Sequence, residues 1–204
     1  MDDSFFSICI GRQLASGGRA VGRILSERLG ASYYDREILF MAARESGLSS
    51  DIFEEHDERK GFFGYASRAW SSVFTQGYVF QQPTSDVQLL EFQANAIRHA
   101  AEKGNCVFIG RAADYVLRDH PRCLSVFILA DEADRIARLH QTMPEATDAE
   151  LRKMIQHVDS KRADFYNFYS GKAWGEATNY DMCLNVSKLG IEKAADIIIE
   201  AIGK

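Results

Sequence analysis

The stretch ICIGRQLASGGRAVGRIL, from Ile8 to Leu25, passes from an apolar run through a glycine turn into a helical pattern. A turn of this kind aims unpaired backbone N–H groups and the positive end of a helix at one point, which is how phosphate is commonly held. Against the phosphate-loop pattern GxxxxGK[ST], with Gly17 as the second glycine, Arg12 stands at the first glycine, Gly18 at the lysine and Arg19 at the hydroxyl. Starting from Gly11 puts Ser16 at the second glycine and Gly17 at the lysine, so no register restores the lysine. The available cations are arginines. Arg12, Arg19 and Arg23 cluster about the turn, and a guanidinium grips phosphate oxygens through paired hydrogen bonds that an ammonium group cannot copy. Taken alone, ASGGR fits both a phosphate site and a plain tight turn.

More arginines follow the later apolar runs. In FIGRAADYVL, Arg111 falls just beyond the expected carboxyl edge of a sheet, where ligands collect in open parallel sheets. DEADRIARLHQ puts Arg135 and Arg138 on one face of a helix, and HVDSKRADFYNFY offers Asp159, Lys161, Arg162 and Asp164. Each one alone reads equally as a solvated surface charge. Their shared placement after strands favours a common site.

The elements that must position these residues are legible from periodicity. Apolar runs at 5–11, 31–35, 105–110, 123–130 and 181–186 alternate with helical patterns near 18–29, 35–46, 50–58, 86–103, 112–119, 131–141, 147–169 and 190–202. That alternation predicts an α/β protein with a parallel sheet covered on both faces. The first helix should turn Val21, Ile24, Leu25 and the stem of Arg28 to the sheet and close at Gly30. Thr147 and Glu150, after Pro144, form a capping-box pattern. The ring-rich segment 61–84 reads as a flap, a substrate-side wall, an oligomer contact or an irregular excursion. Phe62, Phe63, Tyr65, Trp70 and Phe74 could supply a self-association surface, hence a homodimer.

With 204 residues and 46% hydrophobic content, the chain can bury the core of a single domain. A net charge of −5 argues against a broad nucleic-acid surface and for a small anionic ligand. Neither a basic leader with an apolar run nor 18 uninterrupted apolar residues occurs, so the expectation is a soluble cytoplasmic protein without a membrane partner. Cys9, Cys106, Cys123 and Cys183 stand singly, without metal or redox spacing, and are expected as reduced thiols packed as small apolar groups.

Six blocks, taken in order, carry a resemblance: GRQLASGGRAVGRILSERLG, YYDREIL, CVFIGRAADYVLRD, VFILADEADRIARL, VDSKRADFYNFYSGKAWG and YDMCLNVSKLGIEKAADII. Nearly end to end, the chain resembles the cytidylate kinase-like family of P-loop NTPases, relatives of bacterial cytidylate kinase and more distantly of adenylate kinase. The resemblance implies a three-layer α/β/α fold, a five-stranded parallel sheet of order 2-3-1-4-5, an acceptor-side segment at about 35–84 and a helical lid at about 139–175. It further implies ATP as phosphate donor with Mg²⁺, and transfer to a nucleoside monophosphate, cytidylate first. Carried over by residue, Arg12, Ser16, Gly17, Gly18 and Arg19 match the donor phosphate loop. Asp35, Arg111 and Asp114 fall on the acceptor side, with Arg111 similar to the arginine of the family's DGR motif. Arg135, Ser187 and Lys188, the last two within NVSKLG, border the donor base. Arg19, Arg138, Lys161 and Arg162 are the implied catalytic set, Arg19 standing in electrostatically for the lysine.

Two departures qualify the match. The loop lacks its lysine and metal-binding hydroxyl, and Ile109 replaces the DGR aspartate. Ser16 or Asp35, through water, are the candidates left to hold a metal. Two other readings follow: a kinase of another small acceptor, and a non-catalytic nucleotide-binding module with a degenerate loop.

Overall fold

Short apolar runs become strands because consecutive β-branched and aromatic residues can be buried on both faces of a parallel sheet. The computed structural model describes residues 5–35 and 83–203. Among them, the chain order is β1 (Ser7–Arg12), α1 (Gly18–Leu29), β2 (Ser32–Tyr34), α2 (Pro83–Lys103), β3 (Cys106–Ile109), α3 (Ala113–Val116) and β4 (Cys123–Leu129). Then follow α4 (Glu132–His140), α5 (Asp148–Ser170), a 3-10 turn (Ala177–Asn179), β5 (Met182–Asn185), α6 (Val186–Leu189) and α7 (Ile191–Ile202). The five strands form one sheet of order β2-β3-β1-β4-β5, with every pairing parallel. This is the order the family resemblance implied.

Alternation along the strands divides the core into two faces. Ile8, Ile10, Val107, Ile109, Val126 and Ile128 pack with Val21 and Leu25 of α1 and with Ala194, Ala195 and Ile198 of α7. Cys9, Cys106 and Phe108 point the other way, against Phe92, Ile97 and Ala101 of α2 and Val116 of α3. Each fully buried aliphatic side chain stabilises the fold by roughly 1.5–3 kcal/mol, so the sheet is gripped from both sides. No described helix is long and apolar enough to cross a membrane.

Local signals set the ends of several elements. Gly30 closes α1 in a left-handed conformation, and Thr147 with Glu150 makes the full capping box at the start of α5. α2 begins earlier than its pattern, at Pro83, a residue tolerated in a helix's first turn because no N–H is needed there. The pattern at 112–119 contracts to one turn, Ala113–Val116, before Pro121 and β4.

Two expectations are corrected. Arg28 does not lay its stem on the sheet: in the last turn of α1 its guanidinium reaches Asp196 of α7 at 2.8 Å, and the side chain is exposed. Nor are all thiols single and packed. Cys183 is exposed on edge strand β5, while parallel register brings Cys9 Sγ within 3.7 Å of Cys123 Sγ. The expected helices at 35–46 and 50–58, and Phe62, Phe63, Tyr65, Trp70 and Phe74, lie outside the described residues.

Candidate functional site

The glycine turn lies at the carboxyl end of β1, next to the ends of β3 and β4. Gln13 fastens it to β4, its N–H donating to Ile128 O at 3.1 Å and its Oε1 accepting from Ala130 N at 3.1 Å. Leu14 anchors it from below, packed among Ile136, Leu139, Leu151 and Ile155. The bend itself needs left-handed backbone at Ala15 (φ 56°) and Gly17 (φ 91°).

Three arginines bind the outward-facing carbonyls of this turn. Arg162 Nη1 donates to Arg12 O at 3.0 Å, Arg135 Nε to Leu14 O at 2.7 Å, and Arg138 Nη1 to Ala15 O at 3.0 Å. With those acceptors engaged, the opposite side of the turn presents donors. The first N–H groups of α1 have no intrahelical partner, and N-cap Gly17 supplies no side-chain cap. An anion is the complement of such a surface.

Asp159 is the organising carboxylate. It accepts from Leu14 N at 2.7 Å, pairs closely with Arg135 Nη2, and lies 3.6 Å from Arg162 Nη1. The sequence reading noted Asp159 only as one charge among several; its spacing three residues before Arg162 was the available signal. Burial pulls the Arg162 pKa down to about 10; Asp159 opposes the shift, while Arg19 and Arg135 add to it. At neutral pH the group is cationic.

Arg12 is the least compensated of the cations. Burial, and then the like charges of Arg162, Arg19 and Arg111, hold its pKa well below the ordinary arginine value. Its Nε is buried without a hydrogen-bond partner among the described residues, as is the Tyr33 hydroxyl nearby. The guanidinium lies over the end of β3, such that a Cβ on Gly110 would sit 1.8 Å from Arg12 Nη1. Gly110, Arg111 and Ala112 are consecutive residues with positive φ (73°, 64° and 49°), an unusual concentration of strain of the kind found at functional sites. Above this bend Arg111 stacks on the Phe165 ring of α5 at 5.3 Å. Gly110→Ala is expected to cost about 1 kcal/mol of stability through its left-handed backbone. The larger effect should be displacement of the Arg12 guanidinium, read as weaker tripolyphosphate binding in calorimetry. Unchanged binding would contradict that placement.

Other predicted residues are placed as follows. Arg135, expected beside a donor base, is instead buried and committed to Leu14 O and Asp159, because α4 turns it under the loop. Lys161 and Arg162 separate: Arg162 packs onto the turn, whereas Lys161 is exposed. Ser187 Oγ accepts from Asp131 N at 2.8 Å and Lys188 Nζ lies 3.0 Å from Asp131 Oδ2, which ties the NVSKLG turn to the end of β4. Asp35 follows β2, within electrostatic reach of Tyr33.

Asp114, expected on the acceptor side, is half-buried and accepts from Tyr166 Oη at 2.7 Å. Burial raises its pKa, although the Tyr166 hydrogen bond works in the other direction. A carboxyl with a raised native pKa binds its proton more tightly when folded. Stability therefore falls as pH climbs from the unfolded aspartate value through the native one, and recovers on acidification. Asp114→Asn retains an acceptor for Tyr166 and should raise the urea midpoint at pH 7 more than at pH 4. An equal change at both would mean the carboxylate is not penalised by burial.

The loop itself supplies few donors for the Mg²⁺ that the family resemblance implies, which leaves Asp35 after β2 as the carboxylate candidate to hold it. The hydroxyl position of the loop is Arg19, and Ser16 is fully buried with its hydroxyl donating to Gln13 O at 2.9 Å. Both Asp159 oxygens are engaged by the loop and by arginines, and no three His, Cys, Asp or Glu side chains converge among the described residues. In this structure the Ser16 hydroxyl thus locks the turn.

Comparison with known proteins agrees with this architecture. The model of the cytidylate kinase-like family matches residues 7–188. A cytidylate kinase of Methanococcus vannielii is 24% identical over 198 residues, covering 96% of this chain and 98% of its own. An uncharacterized protein from Eubacterium ventriosum has a similar structure, with TM-score 0.73 and 26% identity over 98% of this chain and 99% of that one. Shikimate kinase from Bacteroides thetaiotaomicron, at TM-score 0.52 and 17% identity over 98% of this chain and 99% of that one, shares the fold of the P-loop kinases. On its family match and its sheet order, the chain belongs to the cytidylate kinase-like family.

Proposed function

We propose that the protein transfers the terminal phosphoryl group of ATP to a nucleoside monophosphate, with cytidylate the first acceptor to test. The observation that carries this reading is the convergence of Arg12, Arg19, Arg111 and Arg162 on one glycine turn, with Arg12 Nε sealed from solvent and without a hydrogen-bond partner among the described residues. Phosphoryl transfer asks mainly for alignment and for neutralisation of charge spread over the moving group. Guanidinium groups fixed in a partly buried site do both without reorganising.

In this reading the amides of the turn, with Arg12 and Arg19, hold the phosphates of the donor. Arg111 and Asp35 face the acceptor, whose wall is the 35–84 segment of a single domain. The 139–175 segment acts as a lid and brings Arg162 to the transferring group. Arg135 and Arg138 are positioning residues, since their guanidiniums hold loop carbonyls.

The test is product formation from ATP across a panel of nucleoside monophosphates, nucleosides and small alcohols. Cytidine diphosphate formed faster than other products is the expected result; a different phosphorylated product would reassign the acceptor. A second reading, a nucleotide-binding module without turnover, draws on the glycine at the lysine position. It requires tight nucleotide binding with no product from any acceptor.

A further inference from the structure

In the register that takes Gly17 as the second glycine, the place of the loop's lysine is closed to a side chain. A Cβ built on Gly18, the lysine position, would lie 2.7 Å from Arg12 Cβ and 3.1 Å from Arg12 Cγ. Those atoms are the root of the arginine side chain and cannot swing aside as its tip could. Any residue larger than glycine at 18 therefore competes with Arg12 for one space. Arg12, in turn, occupies the position at which the phosphate-loop pattern calls for its first glycine.

We infer that the phosphate-gripping cation of this loop has been exchanged across the turn, with Arg12 on β1 holding the donor's phosphates in place of a lysine at 18. The inference rests on the proposed phosphoryl transfer and deepens it by naming the residue that replaces the lysine. It also moves that role from Arg19, which is exposed on the first turn of α1, to a side chain that β1, β3 and α5 all fix. The Arg12 carbonyl is held by Arg162, its Nη1 lies against Gly110, and its Nε is buried without a hydrogen-bond partner among the described residues. A guanidinium fixed beside the N-terminus of a helix is suited to two oxygens of one polyphosphate.

Exchange predicts reciprocity, which ordinary charge neutralisation does not. Binding of inorganic tripolyphosphate and of ATP to the full chain would be measured by calorimetry. Arg12→Gln, which keeps most of the volume, should weaken both by roughly 10- to 100-fold, as expected for loss of charge-assisted hydrogen bonds. Gly18→Lys alone should lower the melting temperature and bind poorly, because both side chains need the same space. Arg12→Gly combined with Gly18→Lys should recover melting temperature and most of the lost affinity. Unchanged affinity in Arg12→Gln, or a Gly18→Lys variant as stable as the parent, overturns the exchange, and so does a folded double variant without recovery. If the parent chain binds neither probe, the proposed function itself fails. A parent that binds while Arg12→Gln binds equally well sinks only the exchange.

Discussion

Arg162→Ala is expected to lower turnover on the order of 10³-fold, the loss typical of removing an arginine that stabilises a transferring phosphoryl group. The side chain is largely buried, and its guanidinium spans Arg12 O at 3.0 Å and Asp159 at 3.6 Å. Surroundings that pull its pKa down to about 10 also make its charge act strongly, because water is not there to screen it. Truncation removes a hydrogen bond to the loop as well, a modest term of about 1–3 kcal/mol for a charged donor. Arg162→Lys separates the two roles, since it keeps a positive charge but not the fork. Turnover should recover partly in Arg162→Lys, and circular dichroism should show all three proteins folded. A normal rate in Arg162→Ala would remove α5 from the chemistry.

Asp159→Ala should be the most destabilising single change in the site. The carboxylate is 14% exposed and Arg135 is 7% exposed, so the pair is shielded from water. Removing one partner leaves Arg135 buried without compensation and Leu14 N without its acceptor, a loss of about 3–5 kcal/mol by analogy with other broken buried pairs. That is a large share of the roughly 5–15 kcal/mol that holds an ordinary domain together. Asp159→Asn keeps an acceptor for Leu14 N but not the charge, and should fall between parent and alanine variant. Urea unfolding followed by fluorescence would measure the series. A loss near zero for the alanine variant would show that water reaches Arg135 and screens it.

Much of the architecture was legible because it depends on neighbours along the chain. The run from Ile8 to Gly11 is a strand by composition, α1 spans Gly18–Leu29 by its apolar spacing and closing Gly30, and α5 starts where Thr147 and Glu150 cap each other. The glycine turn was legible as a candidate anion site for the same reason, since the amides and the helix end are local features. The ordered blocks of family motif extended this to sheet order, which the structure shows strand by strand.

Where each arginine sits was visible only in the tertiary structure. Arg135, Arg138, Lys161 and Arg162 look interchangeable as charges in sequence, yet two bury their heads against loop carbonyls, one packs beneath Arg12 O, and one stays in solvent. The loop carbonyls that Arg135, Arg138 and Arg162 hold lie more than 100 residues away along the chain, beyond the reach of any periodicity. Asp159 gained its importance the same way, by meeting Leu14 and Arg135. The close approach of Arg12 to Gly18 spans only a few residues, but it is set by how sharply the chain bends. Sequence therefore determined the local conformations; three-dimensional packing decided which cations gather about the glycine turn, because burial and close contact are properties of the assembled fold.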